Sequence, residues 1–279
     1  MCLRDTLVLN EIGEDITLLL EDSSFKIAEG GSLEDINRSA AVPLVLKSTP
    51  PTAIQLGKEL NRNAQEINYF LQIQVNKTNC QLSLPVIRAD KRFFMLNYVK
   101  DNNNWGLISD VKVDEGVTLV TLRSILQVYN HFSVPVEVYY MTVRGNELEL
   151  VGSVEPNGTL NLPLKAVYTP TSELFFGISG YSVTTSPYIW KNLQTNMNIV
   201  KILQCPVVQT SVDSDKSPFL IKAIGEMEQV YYENTTRHTM ASTCYNIHLR
   251  PAAIFKNFLP LTIIVCVDEL AEEIEVKKR

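Results

Sequence analysis

One short stretch occurs three times in this sequence of 279 residues, and it limits the possible folds more than any other feature. The copies begin at Leu3, Leu122 and Leu249 and read LRDTLVLNEIGEDITLLL, LRSILQVYNHFSVPVEVYY and LRPAAIFKNFLPLTIIVCV. Each runs from a Leu-Arg pair through a short apolar segment to an Asn, and then into a second apolar segment. Because internal repetition determines the architecture, the sequence predicts a tandem repeat protein.

The residues that follow each Asn keep a fixed spacing. The second residue after the Asn is apolar in every copy: Ile12, Phe132 and Leu259. Aliphatic residues follow at the sixth and eighth positions: Ile16 and Leu18, Val136 and Val138, Ile263 and Val265. Apolar residues that alternate with period two are typical of a half-buried β-strand, so each Asn is predicted to precede one.

The distance between matching landmarks gives the length of the repeat. Asn130 and Asn257 are separated by 127 positions (257 − 130), and the block that begins at Gly31 recurs at Gly158 with the same displacement (158 − 31). The sequence therefore predicts units of about 125 residues.

Two further landmarks refine this spacing. Phe93-Phe-Met-Leu pairs with Phe219-Leu-Ile-Lys at a displacement of 126 (219 − 93). Asn10 and Asn130 are only 120 apart (130 − 10), and a longer hairpin around Arg144 in the second unit is predicted to account for the difference. Turns tolerate such insertions better than strands do.

The fold class predicted from these patterns is all-β, with tandem β-sandwich-like repeats. Many short strands are separated by turn sequences, and helical periodicity is confined to residues 54–67 and the tail 268–279. The predicted strands include 67–75, 117–128, 148–154, 199–203, 219–224 and 227–232. We predict a first β-repeat over 1–121 and a second over 122–248. Residues 249–279 either start a third repeat or close the second, and the sequence does not choose between these frames.

The three Asn residues, Asn10, Asn130 and Asn257, are the candidate site residues. Strand parity places Asn130 on the same side as Val128 and Leu126, so its amide should point into the core. A buried amide requires hydrogen-bond partners, and the adjoining turn offers backbone groups. The Asn is expected either to fix a strand-to-turn junction or to help shape a groove for a partner, and we favour the structural role.

No arrangement of residues typical of catalysis is found. His131, His238 and His248 show no metal-binding spacing, and Gly177-Ile-Ser-Gly is one residue short of a nucleophile elbow. The sequence therefore predicts no enzyme activity, no cofactor and no metal site, and it favours a binding surface.

Charge and composition exclude other classes of partner. The net charge is −6 and the basic residues are scattered, so nucleic acid is not expected to bind. The apolar run 258–267 is too short for a membrane helix, which needs about 20 residues. Charged residues throughout 4–15 predict no export signal, and the five cysteines are expected to be reduced thiols.

The repeated blocks HLRPAAIFKNFLPLTI and TLRSILQVYNHFSVPVEVYY resemble the adaptor-binding (VAB) domain of the vacuolar protein sorting thirteen family. Its members are chorein-type, bridge-like lipid-transfer proteins. That domain is a series of β-rich repeats, each with one Asn after a short strand, and Asn10, Asn130 and Asn257 match this position. Residues 122–140 and 226–250 look most similar to the D-type animal branch.

The resemblance implies a non-catalytic, cytoplasmic module at organelle membrane contact sites. It would recruit the parent lipid-transfer protein by holding short Pro-X-Pro segments of membrane adaptors, without inserting into the membrane. The edge strands of β-repeats accept an extended peptide as an added strand. The alternative is a purely structural spacer without a ligand. A third possibility, an enzyme or carbohydrate-binding sandwich, would need a cleft with clustered polar groups.

Overall fold

The computed structural model describes residues 6–19, 24–27, 70–86, 88–96, 105–115, 117–142, 147–208, 217–232, 238–253, 257–266 and 273–276. Nearly all regular structure within these ranges is β-strand, which confirms the predicted fold class. The repeated block at Gly31, the segment 54–67 with helical periodicity and the tip of the Arg144 hairpin lie outside the described residues.

The first half of the chain contributes eight described strands. They are β1 (Thr6–Glu11), β2 (Ile16–Leu19), β3 (Ser24–Ile27), β4 (Phe70–Val75), β5 (Cys80–Pro85), β6 (Lys91–Leu96), β7 (Trp105–Asp114) and β8 (Val117–Ser124).

The second half continues with β9 to β19, one short α-helix and one 3-10 helix. In chain order they are β9 (Leu126–Asn130), β10 (Val136–Met141), β11 (Leu148–Val154), β12 (Thr159–Asn161), α1 (Leu164–Val167), β13 (Glu173–Gly177), β14 (Tyr188–Ile189), the 3-10 helix (Trp190–Gln194), β15 (Asn198–Cys205), β16 (Phe219–Tyr232), β17 (His238–Pro251), β18 (Ile263–Cys266) and β19 (Glu273–Val276).

The strands form two four-stranded sheets of identical order, one large sheet and the two-stranded sheet β18-β19. The four-stranded sheets run β3-β2-β4-β5 and β11-β10-β13-β14, so their strands correspond one to one. The large sheet runs β1-β8-β7-β6-β16-β17-β9-β12, with β15 also paired to β16. It therefore contains the successions β1-β8-β7-β6 and β9-β17-β16-β15, which again correspond strand by strand.

Each succession closes in the same register. β1 pairs in parallel with β8 so that Asn10 lies opposite Leu122, and β9 pairs in parallel with β17 so that Asn130 lies opposite Leu249. The Leu of a Leu-Arg pair thus aligns with the preceding Asn. A short parallel ladder between β16 and β6, with Tyr231 opposite Arg92, joins the two successions into one sheet.

The predicted equivalence of Phe93 and Phe219 is wrong. Phe93 lies in β6, the third strand from β1, whereas Phe219 lies in β16, the second strand from β9. β15 is the counterpart of β6. The two successions distribute their residues differently among strands and connections, so a constant displacement in sequence does not identify matching strands.

Two predicted strand boundaries also differ from the structure. The predicted strand 117–128 is interrupted at Ile125, and the predicted strands 219–224 and 227–232 merge into β16. β16 continues through Gly225. A Cβ atom at this position would lie 2.0 Å from the Tyr188 hydroxyl and 2.8 Å from the Leu193 methyl groups. This glycine permits close packing rather than a turn.

Within the tail 268–279, the described residues Glu273–Val276 form a strand instead of part of the short helix that the periodicity allowed. β18 and β19 pair antiparallel with Ile263 opposite Val276. The same hairpin follows the other two Asn residues, with Ile16 opposite Ile27 and Val136 opposite Val154. The residue six positions after each Asn therefore occupies the same register in all three copies.

Two apolar clusters fill the described part of the molecule. The larger contains Trp190, Tyr188 and Phe176, and the smaller contains Ile12, Ile73 and Trp105. Both tryptophans are buried, as expected for large aromatic residues. Leu164 of α1 belongs to the smaller cluster, so the second half of the chain contributes to the core of the first.

Candidate functional site

The three candidate Asn residues occupy the same local structure, at the turn that precedes β2, β10 and β18. Asn10, Asn130 and Asn257 have relative exposures of 0%, 1% and 3%, so all three amides lie inside the protein. Asn10 lies in β1, Asn130 lies in β9 and Asn257 follows β17, so each belongs to a different copy of the repeated stretch.

Each amide bridges its own turn in two directions. The side-chain NH₂ donates to the carbonyl oxygen four residues later, at 2.9 Å for Asn10, 2.8 Å for Asn130 and 2.7 Å for Asn257. The side-chain oxygen accepts from the N–H two residues later, at 3.4, 2.8 and 2.9 Å in the same order. These bonds hold the chain as it turns into the next strand.

Asn130 makes additional bonds that reach another element. Its NH₂ also donates to the carbonyl oxygens of Val154 (2.8 Å) and Glu155 (3.2 Å) at the end of β11. One side chain thus ties β9, the turn and β11 together. An Asn is suited to this position because it provides two donors and an acceptor on a short side chain.

The apolar residue two positions after the Asn differs between the copies. Ile12 and Phe132 are buried, and Phe132 packs against Phe219 with ring centroids 5.4 Å apart. Leu259 is 52% exposed, and Phe258 beside it is exposed as well. The third turn therefore has the same hydrogen bonds as the other two. Its apolar residue, however, is not buried by any of the described residues.

β15 forms an edge of the large sheet beside β16. Antiparallel pairing aligns Asn198 with Glu226 and Cys205 with Phe219. The end of β15 is covered by the segment 181–187, in which the N–H of Thr185 donates to Gln204 O (3.0 Å). Among the described residues, β16 is the only strand paired with β15.

The outward side of this edge is apolar. Val200 is 57% exposed and Ile202 is 51% exposed, while Leu203 and Cys205 on the opposite face of β15 are buried. Leu220 of β16 extends the exposed apolar surface. We call Val200, Ile202 and Leu220 the β15 patch. An exposed apolar edge strand is a site at which another chain can pair.

A stacked row of rings continues across the same face. Tyr129 stacks on His248 at 4.7 Å, and His131 stacks on His248 at 5.1 Å between ring centroids. His131 Nε2 lies 2.9 Å from His248 Nδ1, so one ring donates and the other accepts. Burial and the charge of Arg250 lower the pKa of His131, and burial lowers the pKa of His248 despite nearby Glu226.

The described residues contain no group of three potential metal ligands. Burial raises the pKa of the Cys205 and Cys244 thiols to about 11, so these cysteines are protonated near neutral pH. In the described part of the chain, no helix has the length and apolar character needed to cross a bilayer.

Sequence reasoning identified the Asn residues but missed the β15 patch and the histidine pair. The segment NIVKIL has apolar residues on both faces, a pattern typical of an internal strand. The two histidines are 117 positions apart and meet through the parallel pairing of β9 with β17. The sequence indicates this contact only through the repeat, because matching copies of the repeat set the register between β9 and β17.

Repeated sheets of matching order, each introduced by a buried Asn turn, define a tandem β-repeat protein. The chain belongs to the family of the vacuolar-sorting associated protein 13 adaptor binding domain, whose family model matches residues 54–278. This confirms the family resemblance drawn from the repeated blocks.

Three curated relatives are similar over most of the chain. Intermembrane lipid transfer protein VPS13C of Homo sapiens, like that of Mus musculus, is 26% identical over 200 residues, covering 70% of this chain and 5% of the relative. Intermembrane lipid transfer protein VPS13A of Mus musculus is 22% identical over 185 residues, covering 66% of this chain and 6% of the relative. The chain thus spans a small fraction of these relatives. The similarity to the D-type branch stays a prediction.

Proposed function

We propose that this chain is a non-catalytic adaptor-binding module that recruits a larger lipid-transfer protein to organelle membranes. Its ligands are short Pro-X-Pro segments of membrane-bound adaptors, and its place is the cytoplasmic side of membrane contact sites. The observation that carries this proposal is the match of residues 54–278 to an adaptor binding domain. The curated relatives are named as intermembrane lipid transfer proteins, which supports the role of the parent chain.

The physical chemistry of β-repeats suits this function. A proline-containing segment is already extended, so it loses little conformational entropy when it docks on a sheet. An open strand edge supplies main-chain hydrogen bonds, and side chains beside the edge supply selectivity. The Asn residues contribute indirectly in this proposal, because Asn10, Asn130 and Asn257 hold the turns from which the sheets start.

Strand pairing also supports a frame for the repeat. We propose that a unit begins with the strand that carries the Asn and ends with the strand that carries the next Leu-Arg pair. On this frame β1 to β8 form one unit, β9 to β17 form the next, and the turn at Asn257 opens a third copy. The unit boundaries then fall a few residues after 121 and 248.

Peptide titration tests the proposed function. A labelled Pro-X-Pro peptide is titrated with the 279-residue chain and followed by fluorescence anisotropy, with an Ala-X-Ala peptide as the matched control. We expect saturable binding of the proline peptide alone. Absence of binding at hundreds of micromolar would favour a structural spacer instead.

A further inference from the structure

Strand pairing places two cations side by side on the outer face of the large sheet. Lys222 of β16 lies directly opposite Arg250 of β17 in the antiparallel register. Their neighbours along the strands, Ile221, Ala223 and Leu249, are buried, so the two charged side chains point the other way. Like charges directly opposite each other in a sheet repel, and their proximity favours an external anion that neutralises them.

No carboxylate of the described residues neutralises this pair. Neither Lys222 nor Arg250 forms an ion pair within the described part of the chain. Glu226 lies four positions from Lys222 along β16 (226 − 222), which is about 13 Å in an extended strand. That distance exceeds the screening length, about 10 Å at 0.1 M ionic strength. The Glu226 carboxylate lies instead 3.9 Å from His248 Nε2.

The neighbouring histidines add neutral rings to this face rather than charge. Burial and nearby Arg250 lower the pKa of His131, and burial lowers the pKa of His248. Their ring nitrogens already bond each other at 2.9 Å. Near neutral pH, the positive charge of this face therefore comes from Lys222 and Arg250.

Exposed aliphatic side chains adjoin the cations. Ile202 of β15 lies opposite Lys222, and Val200 lies two residues away on the same side of the strand. Together with Leu220 they form the β15 patch, in which the exposed fractions are 57% for Val200, 51% for Ile202 and 43% for Leu220. One face of the sheet thus combines two cations without ion pairs and three exposed aliphatic side chains.

We infer that this outer face of β15, β16 and β17 docks on an anionic phospholipid surface. Lys222 and Arg250 contact the headgroup phosphates, and the β15 patch contacts the boundary between headgroups and acyl chains. The contact is peripheral, since only side chains enter the lipid. It is a second membrane contact, separate from the binding of an adaptor peptide.

The mixture of charged and aliphatic side chains selects lipid over other anionic partners. Nucleic acid is held by many phosphate contacts, whereas this face has two cations in a chain of net charge −6. A headgroup layer accepts cations at its phosphates and aliphatic side chains just below them. A fluid surface also adapts to a sheet face, so no preformed pocket is required.

The expected strength of the contact is low. One basic residue near an anionic leaflet raises membrane partition about fivefold, so Lys222 and Arg250 together contribute about 25-fold. An adaptor that already holds the chain at a membrane would make this contact effective, because tethering raises the local concentration of lipid. The face would then set the orientation of the chain on the membrane.

Vesicle sedimentation of the 279-residue chain tests the inference. At millimolar lipid, we expect phosphatidylcholine vesicles that contain phosphatidylserine to bind more protein than pure phosphatidylcholine vesicles do. High salt should remove the difference, because exposed charges are screened. Equal binding to the two kinds of vesicle would overturn the inference.

Charge substitutions test the position of the contact. Lys222→Gln and Arg250→Gln should each weaken partition into the phosphatidylserine vesicles about fivefold. Lys112→Gln is the matched control, because it removes the same charge from an exposed side chain of β7 and should stay within about twofold of the unsubstituted chain. Circular dichroism verifies that the variants fold. Equal losses in all three would show that net charge rather than this face controls binding, which would overturn the inference.

Introduced tryptophans test whether the β15 patch reaches the lipid. Ile202→Trp places a fluorophore in the patch, and Leu150→Trp places one at an equally exposed position of β11, each residue being 51% exposed. Phosphatidylserine vesicles with brominated acyl chains should quench the tryptophan at 202 and not that at 150, after subtraction of the signal of the unsubstituted chain. Equal quenching at both positions, or none at either, would contradict the proposed orientation.

The vesicle and peptide measurements separate this inference from the proposed function. If the Pro-X-Pro peptide binds and the phosphatidylserine vesicles do not, the lipid contact fails while adaptor binding stands. If the vesicles bind through Lys222 and Arg250 and the peptide does not bind, the lipid contact stands alone. Binding of a soluble polyglutamate peptide without binding of vesicles would assign the face to an acidic protein segment and overturn the inference.

Discussion

At the scale of single residues, the buried amide of Asn130 is a centre of main-chain hydrogen bonding. Its amide bonds four main-chain groups that belong to two separate segments, and its side chain is almost fully buried. Loss of the amide would leave buried carbonyl and N–H groups without a partner. Leaving a buried polar group unpaired lowers the free energy of unfolding by more than the net contribution of the hydrogen bond that is lost.

Asn130→Ala should therefore destabilise the chain by about 2–3 kcal/mol, since at least one buried backbone group is left unpaired. Chemical denaturation followed by circular dichroism measures this change. Asn196→Ala is the control, because Asn196 is exposed and should give a change below about 0.5 kcal/mol. Equal stability of the two variants would refute the structural role of Asn130.

Asn130→Asp gives a second expectation with a defined pH dependence. The carboxylate would face the carbonyl oxygens of Val134, Val154 and Glu155, so only its protonated form can donate a hydrogen bond. Its pKa should be higher in the folded than in the unfolded chain. The variant should approach normal stability at acid pH and lose it as the pH rises. A pH-independent difference from the unsubstituted chain would contradict this account.

The sequence was sufficient to locate these Asn residues and to predict that they point inward. Parity along the strand gives the direction of a side chain, and the repeat gives its importance to the fold. The bonds from Asn130 to Val154 and Glu155 were not predictable, since they join residues 24 and 25 positions apart through the β10–β11 hairpin. Local spacing carries no information about such contacts.

At the scale of elements, the pairing of β6 with β16 is reinforced by an ion pair. Lys91 Nζ lies 2.7 Å from Glu228 Oε1, and Asn246 and Cys244 also donate to Glu228 Oε2. Burial opposes the charged form of Glu228, but the hydrogen bond and charge of Lys91 outweigh it and lower the pKa of this carboxyl group. The pair thus fixes the junction between the two successions of strands.

Acid should weaken this junction. A lowered carboxyl pKa in the folded state stabilises the protein above the unfolded pKa, and this contribution is lost as the pH falls through the folded value. Both groups are partly exposed, so Glu228→Gln should cost about 0–1 kcal/mol at neutral pH and nothing at pH values where the carboxyl group is protonated. Urea denaturation at pH 7 and in acid measures the difference. A cost that persists in acid would contradict the electrostatic origin.

Close packing at Gly225 gives a steric prediction for β16. Gly225→Ala should cost about 1–3 kcal/mol, because the added methyl group collides with the Tyr188 hydroxyl and Leu193. Adding Tyr188→Phe should recover part of the loss by removing the hydroxyl. Gly152→Ala is the control, since its Cβ would meet Leu160 at an ordinary 3.7 Å. Thermal melts of these three variants and of the unsubstituted chain measure these changes.

Alternation of apolar and polar residues predicted where strands occur, but it did not predict which strands lie at the edge of a sheet. β11 was predicted with its observed bounds, because polar turns flank it. The sequence of β15 did not predict that, within the described structure, only β16 pairs with it, since the neighbours of a strand depend on the path of the whole chain. The same limitation explains the wrong pairing of Phe93 with Phe219.

At the scale of the whole molecule, the two halves share a core as well as a sheet. Tyr168, just after α1, stacks on Trp105 of β7 with ring planes 9° apart. Its hydroxyl accepts from Gly106 N–H at 2.6 Å and lies 3.2 Å from Gly106 O, to which it donates. In the same part of the chain as Tyr168, Leu164 N–H donates to Ile12 O at 2.8 Å. The turn that follows Asn10 is thus partly covered by the following unit.

This contact predicts that the two halves unfold together. In repeat proteins, coupling between neighbours determines whether a transition is cooperative. Tyr168→Ala removes the ring and the bonds to Gly106, and it should cost about 3 kcal/mol, as is typical of a large aromatic residue in a core.

Probes in the two halves distinguish loss of coupling from general destabilisation. Trp105 reports on the first half and Trp190 on the second, so Trp190→Phe and Trp105→Phe variants, which keep an aromatic ring at each position, follow each core separately. With Tyr168 present, both probes should give one denaturation midpoint; in Tyr168→Ala the midpoints should separate. Tyr168→Phe, which keeps the ring but not the hydroxyl, should lower the common midpoint without splitting it. Separate midpoints in the unsubstituted chain would show that the shared sheet and core do not couple the units.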